Sequence, residues 1–134
     1  MITSAMQTPD NLEHFESVGN RAFFRPVGKM TLPQAIQLVT RAITLTGERR
    51  IRRLLVNASG LTGFPSPTLP ERYFLAREWA AAAPPGLRLA MVVRAEMIDP
   101  ERFGVLVARN AGLDAEVFSD DSQALSWLTN DRSA

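Results

Sequence analysis

Cysteine is absent from this 134-residue chain, and histidine occurs only once, as His14. Without thiols the chain forms no disulfide, and it offers neither a cysteine nucleophile nor a thiolate metal site. A single histidine without clustered carboxylates gives no pattern typical of a metal centre or of a catalytic acid–base pair. The sequence also lacks a glycine-rich phosphate loop. We therefore expect a protein that is not an enzyme and that uses no metal and no cofactor.

An excess of charge and long apolar runs are also lacking. The 15 basic and 14 acidic residues leave a net charge of +1, which gives little attraction toward nucleic acid. No apolar run is long enough to cross a bilayer, and the N-terminus lacks a charged-then-apolar secretion signal. We therefore expect a cytoplasmic protein with no transmembrane segment and no nucleic-acid partner.

The length and composition are typical of one globular domain. Hydrophobic residues make up 46% of the chain and charged residues 22%, which are ordinary proportions. A chain of this length suits a single hydrophobic core. Residues 1–11 are polar and mixed, so we expect a flexible N-terminus there. The folded domain is predicted to span residues 12–130.

Turn and cap signals divide this domain into elements. Two short runs rich in Phe and Val flank Gly19-Asn20, which is typical of a β-hairpin. Thr31 and Thr68 each begin a Thr-Leu-Pro-Gln/Glu capping box, while Asp99-Pro100 and Asp120 mark two further helix starts. Three further strands are predicted between the helices, from the runs at 54–56, 87–94 and 115–118. The order β-β-α-β-α-β-α-β-α predicts an α/β fold, in which an N-terminal hairpin and βα repeats form a mostly parallel five-stranded sheet.

The apolar strand runs alternate only in part. Leu87, Leu89 and Met91 share one side of their predicted strand, whereas Arg88 and Ala90 lie on the other side. A sheet buried equally on both faces would be apolar throughout. We therefore expect helices to cover one face of the sheet more completely than the other.

The segment from Leu54 to Glu71 is the most informative part of the chain. It joins a predicted buried strand to a helix through a loop that contains Pro65, Pro67 and Pro70, so the loop is stiff. In parallel α/β sheets, ligands and partners usually dock beyond the carboxyl ends of the strands. We therefore expect a docking loop here. Its candidate residues are Asn57, Ser59, Phe64, Ser66 and Thr68.

Each candidate in this loop has a functional and a purely structural interpretation. Ser66 either accepts a phosphate near the helix N-terminus or is a solvated serine between two prolines. Asn57 and Ser59 either contact a ligand or make the local hydrogen bonds of a turn. Phe64 either fills the core or anchors a partner.

Aromatic residues give a second candidate site. Tyr73, Phe74 and Trp79 lie on the predicted second helix, and Phe103 lies on the third. Together they are candidates to line a pocket for a small lipophilic molecule. The alternative is that these side chains are ordinary core residues, since aromatics at helical spacing usually are.

The order of these elements, together with five short segments, resembles the STAS domain of bacterial anti-sigma-factor antagonists, in its sporulation-protein-like branch. The resemblance covers roughly residues 20 to 128. Asn57 to Thr62, for example, is similar to the family's Asp-Leu-Ser-Gly-Val-Thr segment. The other segments are 26–31, which resembles the end of the second strand, 51–57, the central strand, and 110–113 with 117–120, the closing helix and strand.

The resemblance implies a non-catalytic regulatory module that binds a protein partner. The family's phosphorylated loop reads Asp-Ser-Ser-Gly and falls on Pro65-Ser66-Pro67-Thr68, where only Ser66 matches, so this loop is degenerate. A related branch shares its architecture with Sec14-type lipid carriers. It implies the alternative function, a carrier or sensor of a small lipophilic ligand held between helices and sheet. Whether the domain forms a homodimer stays open.

Overall fold

The computed structural model describes residues 12–130, so the predicted flexible segment 1–11 lies outside the described residues. The strands are β1 (Phe15–Val18), β2 (Arg21–Phe24), β3 (Gly28–Lys29), β4 (Arg53–Asn57), β5 (Leu61–Thr62), β6 (Arg88–Val92) and β7 (Asp114–Phe118). The helices are α1 (Leu32–Glu48), α2 (Leu69–Ala82), α3 (Phe103–Asn110) and α4 (Asp121–Thr129), with one 3-10 turn at Ala95–Met97.

Five of the strands form one sheet in the order β1-β2-β4-β6-β7. β1 and β2 are antiparallel and are joined by the tight turn at Gly19-Asn20, where Gly19 has a φ of 62°. The other three pairs are parallel, and each connection between them contains a helix. The single-domain α/β fold with a mostly parallel five-stranded sheet, predicted from the sequence, is therefore confirmed.

The two threonine capping boxes form as predicted. The Thr31 hydroxyl accepts from the Gln34 N–H at 3.2 Å, and the Gln34 Oε1 accepts from the Thr31 N–H at 2.9 Å. Thr68 and Glu71 repeat this exchange at 3.3 and 2.8 Å. Each box satisfies N–H groups that the first helical turn leaves without partners, so both helix starts are fixed by local sequence.

The sheet separates two unequal layers of helix. Leu54 and Val56 of β4 pack with α1, α2 and α3 on one face, whereas Leu55 packs with α4 on the other. The first face carries most of the buried side chains, among them Phe24, Val39 and Ile43. The unequal cover expected from the partial strand alternation is therefore confirmed.

The structure departs from the sequence-based expectations in two places. A second, small parallel sheet pairs β3 with β5, which the sequence analysis did not predict. In addition, α3 begins at Phe103 instead of at Pro100, because residues 99–102 form a turn first. The Asp99 carboxylate still acts near this helix start, since its Oδ2 accepts from the Phe103 N–H at 2.8 Å.

Candidate functional site

Asn57 and Ser59 make the local bonds of a turn at the carboxyl end of β4. The Asn57 Oδ1 accepts from the Ser59 N–H at 3.0 Å and from the Ser59 hydroxyl at 2.6 Å. These are the side-chain bonds by which asparagine stabilises turns. The geometry therefore favours the structural interpretation of these two candidates.

The amide of Asn57 also belongs to a network that the sequence analysis missed. Its Nδ2 donates to the Asp121 Oδ1 at 2.8 Å, and Arg25 Nη2 donates to the Asp121 Oδ2 at 3.0 Å. The hydrogen bond from Arg25 lowers the pKa of Asp121, partial burial opposes this, and the Asn57 bond lowers it further. The network ties α4 to the ends of β2 and β4, across sequence distances that no local pattern reveals.

We predict that Asp121→Asn reduces the loss of stability in acid. Because the folded-state pKa of Asp121 lies below its ordinary value of 3.8, its stabilisation is present at neutral pH. It is lost as the pH falls through and below that value. The carboxylate is 38% exposed, so solvent screening limits the effect to about 1 kcal/mol or less. Urea unfolding at pH 7 and pH 3 measures it.

Glu16→Gln on the exposed edge strand β1 is the control for that experiment. It should retain the wild-type difference in unfolding free energy between the two pH values. If Asp121→Asn and Glu16→Gln lose the same amount on acidification, the Arg25–Asp121 pair does not contribute as described.

The loop after β4 is held in place by backbone contacts at both ends. The Gly28 N–H donates to the Gly60 O at 3.1 Å, and the Met30 N–H donates to the Thr62 O at 2.8 Å. Arg94 Nη1 donates to the carbonyls of Ser59 and Leu61, at 3.2 and 2.9 Å. The segment 57–63 is therefore a fixed support for the proline-rich residues that follow it.

Ser66 and Thr68 are both exposed, directly before α2. Thr68 is committed to the helix cap, as described above. The Ser66 hydroxyl accepts a hydrogen bond from Arg72 Nη2 at 2.9 Å. Ser66 is therefore accessible to a partner and already lies beside a cation, a juxtaposition across the helix start that sequence spacing did not indicate.

Phe64 is half-buried and lines a cavity that is partly open to solvent, together with Pro67 of the same loop. Its side chain therefore contacts the core from the loop. This geometry favours the core-filling interpretation of Phe64 over that of a free partner anchor.

We predict that Phe64→Ala lowers the free energy of unfolding by about 2 kcal/mol, below the range for a fully buried phenylalanine. The reason is that only part of its ring leaves water on folding. Phe74→Ala is the matched control, since Phe74 is 55% exposed and its loss should cost much less. Chemical denaturation measures both, and an unchanged stability for Phe64→Ala would contradict the core role.

The cavity lies between the sheet and the three helices on its better-covered face, and its volume is about 150 Å³. Its lining is mostly apolar. It includes Ile36 of α1, Leu75 and Trp79 of α2, Ala108 of α3 and Met91 of β6. An apolar space of this size resembles the engineered protein cavities that bind benzene.

The four predicted pocket aromatics do not lie together in this cavity. Trp79 lines it, and its indole N–H is satisfied by the Ile36 O at 3.2 Å. Tyr73 and Phe74 are about half exposed, and Phe74 borders a separate open groove between α1 and α2. Phe103 is half-buried at the start of α3 and is not among the cavity-lining residues.

A polar rim interrupts the apolar lining and consists of Arg72, Asp99, Arg102 and Glu116. Glu116 pairs with Arg102 and also accepts from Arg109 Nη2 at 2.8 Å. The sequence analysis did not single out these residues, because the rim forms only when α2, α3 and β7 come together.

The described part of the chain contains no group of three or more His, Asp or Glu side chains that could hold a metal ion. Between residues 12 and 130, no helix is both long and apolar enough to cross a membrane. A scan against models of known protein families finds none that matches the chain, and a search of curated proteins finds no significant match either.

Proposed function

We propose that the chain is a non-catalytic regulatory module of the cytoplasm that binds a protein partner, as its resemblance to the anti-sigma-factor antagonists implies. The docking surface is the loop 57–68 with the start of α2. The family assignment is part of this proposal and rests on the segments given in the sequence analysis.

One observation carries the proposal: an exposed serine hydroxyl sits on a supported loop and is hydrogen-bonded to an arginine. The prolines on both sides of Ser66 and the contacts of segment 57–63 reduce the entropy that the loop loses on binding. Arg72 Nη2 lies 2.9 Å from the Ser66 Oγ. A phosphate on that oxygen would have a guanidinium within reach, and such pairs are strong.

We predict that Ser66→Asp weakens binding of a partner that packs on this loop. The new carboxylate changes the charge of the surface, while an exposed pair with Arg72 should alter stability by less than about 1 kcal/mol. Ser17→Asp on the exposed strand β1 is the matched control. The measurement is quantitative affinity purification from host lysate with wild type and both variants, beside thermal melts.

The expected partner is retained by wild type and by Ser17→Asp and is lost or depleted with Ser66→Asp. The captured partner should then bind the purified wild-type domain with a defined stoichiometry. The mass of that complex also shows whether the domain forms a homodimer. Identical protein profiles for all three baits would contradict the docking surface. Intact-mass measurement of the native protein tests phosphorylation directly, and the degenerate loop leads us to expect no phosphate.

A second candidate function, the carrier or sensor of a small lipophilic ligand, is favoured by the cavity. An apolar space between helices and sheet is where such a ligand is expected, although about 150 Å³ is smaller than the pockets of typical drug-sized ligands. Toluene, hexanoate and palmitate should be compared in thermal melts. Toluene and hexanoate should raise the melting temperature, whereas palmitate should not. If none of the three compounds shifts the melting temperature, the carrier function is contradicted.

A further inference from the structure

Arg72 is the cation of the polar rim that forms no ion pair within the part of the chain that the structure describes. It is half-buried, lines the cavity and donates to the neutral hydroxyl of Ser66. Among the described residues, no carboxylate forms an ion pair with it. Arg102, in contrast, is paired with Glu116. Because an anion makes a stronger, charge-assisted hydrogen bond than a neutral hydroxyl does, the exposed bond from Arg72 to Ser66 can be exchanged for one to an anion.

The cavity beside this guanidinium limits what the anion carries. Its volume of about 150 Å³ matches an apolar body about the size of benzene. The lining that such a body would contact is apolar, with Leu75 and Ala76 from the same helix as Arg72. A long acyl chain would extend beyond this space into solvent.

The nature of the head group follows from the rim. A guanidinium presents a planar fork of N–H donors that fits the two oxygens of a carboxylate. Asp99, which also lines the cavity, adds a negative charge that disfavours a dianion such as a phosphate monoester. A monoanionic carboxylate suits both features.

We propose that the cavity and Arg72 together form a site for a small carboxylate with an aryl or short alkyl body. The body occupies the cavity, and the carboxylate accepts from Arg72 in place of the Ser66 hydroxyl. This inference rests on the ligand-binding function proposed for the cavity and deepens it. It also links the two candidate sites, because a bound carboxylate releases Ser66 from its present hydrogen bond.

The test uses isothermal titration of the purified chain with phenylacetate and with its neutral isostere phenylacetamide. Phenylacetate should bind about tenfold or more tightly than the amide, the range expected for a charge-assisted hydrogen bond. Arg72→Gln should abolish that preference. Arg77→Gln is the matched control, because Arg77 lies on the same helix but stacks over Tyr73 and is not part of the cavity lining.

Two further variants at Ser66 examine the link to the loop, and two on α3 examine the cavity itself. Ser66→Asp places a carboxylate beside Arg72 within the chain and should weaken phenylacetate binding several-fold, whereas Ser66→Ala should not weaken it.

Ala108→Leu and Val105→Phe fill the cavity from α3 and should abolish binding. The variant that keeps the wild-type circular dichroism spectrum is used. Binding that survives a folded cavity-filling variant would overturn the site.

The remaining outcomes separate the inference from the function on which it rests. If phenylacetate and phenylacetamide bind equally, and equally to Arg72→Gln, the cavity binds ligand but Arg72 is not its head-group residue. If neither compound binds and toluene does not bind either, the ligand-binding function of the cavity fails together with the inference.

Discussion

Replacing Gly63 with alanine should lower the free energy of unfolding by about 2–4 kcal/mol. Gly63 has a φ of +107°, which side-chain-bearing residues rarely adopt. A Cβ placed there would clash with the Met30 O and lie 2.9 Å from the Met30 N, so it would meet backbone that cannot move aside cheaply. The pairing of β3 with β5 should be lost, and urea denaturation followed by circular dichroism measures the cost.

Gly112→Ala separates steric contact from backbone strain in that experiment. Gly112 has a φ of +98°, but nothing lies within 4 Å of the position that its Cβ would take. Only the conformational cost of about 1–2 kcal/mol should therefore appear. Equal losses in the two variants would show that the close approach of Gly63 to Met30 is not what requires glycine at that position.

Local structure such as caps and turns could be predicted from the sequence, whereas the strand pairing beside Gly63 could not. The helix starts at Thr31 and Thr68 were predictable because a capping box lies within four residues and acts locally. The hairpin at Gly19-Asn20 was predictable for the same reason. The pairing of β3 with β5 was not predictable, since strands of two residues show no periodicity. In the sequence Gly63 is indistinguishable from an ordinary turn glycine, because its close contact with Met30 arises only in the folded structure.

The candidate site was predictable only in part. The position of the loop at the carboxyl ends of the strands followed from the element order. The hydrogen bond from Arg72 to Ser66 and the network around Asp121 depend on how helices settle against the sheet, which no short pattern encodes. The cavity depends on gaps in packing, so the sequence named Trp79 and Tyr73 alike as pocket candidates and did not distinguish Trp79, which lines the cavity, from Tyr73, which stays exposed.

The start of α3 illustrates competition between two local signals. Asp99-Pro100 reads as a cap followed by a helical first residue. The chain instead forms a turn, and Arg102 adopts a left-handed conformation with a φ of 54° before the helix begins. Its guanidinium then donates to Glu116 and to the Val117 O at 3.2 Å. A tertiary ion pair at β7 thus accompanies a helix start that differs from the local prediction.

Leu61→Ala should lower the free energy of unfolding by about 2–5 kcal/mol, the usual range for truncating a buried leucine. Leu61 is 1% exposed, and it lies on β5 while also lining the cavity. Its truncation removes buried apolar surface and enlarges the existing space. Leu128→Ala is the matched control, because Leu128 is equally buried but lies on α4 and packs against the opposite face of the sheet.

Both leucine variants should lose similar stability in urea denaturation, but only Leu61→Ala should change what the cavity accepts. The wild-type chain should prefer hexanoate to decanoate, because its cavity of about 150 Å³ fits only a short body. In Leu61→Ala the enlarged space should shift this preference toward the longer acid, while Leu128→Ala keeps it. Titration of both acids into all three proteins measures the shift. If the chain-length preference changes equally in the two variants, it reflects general loosening of the fold and Leu61 does not bound the ligand.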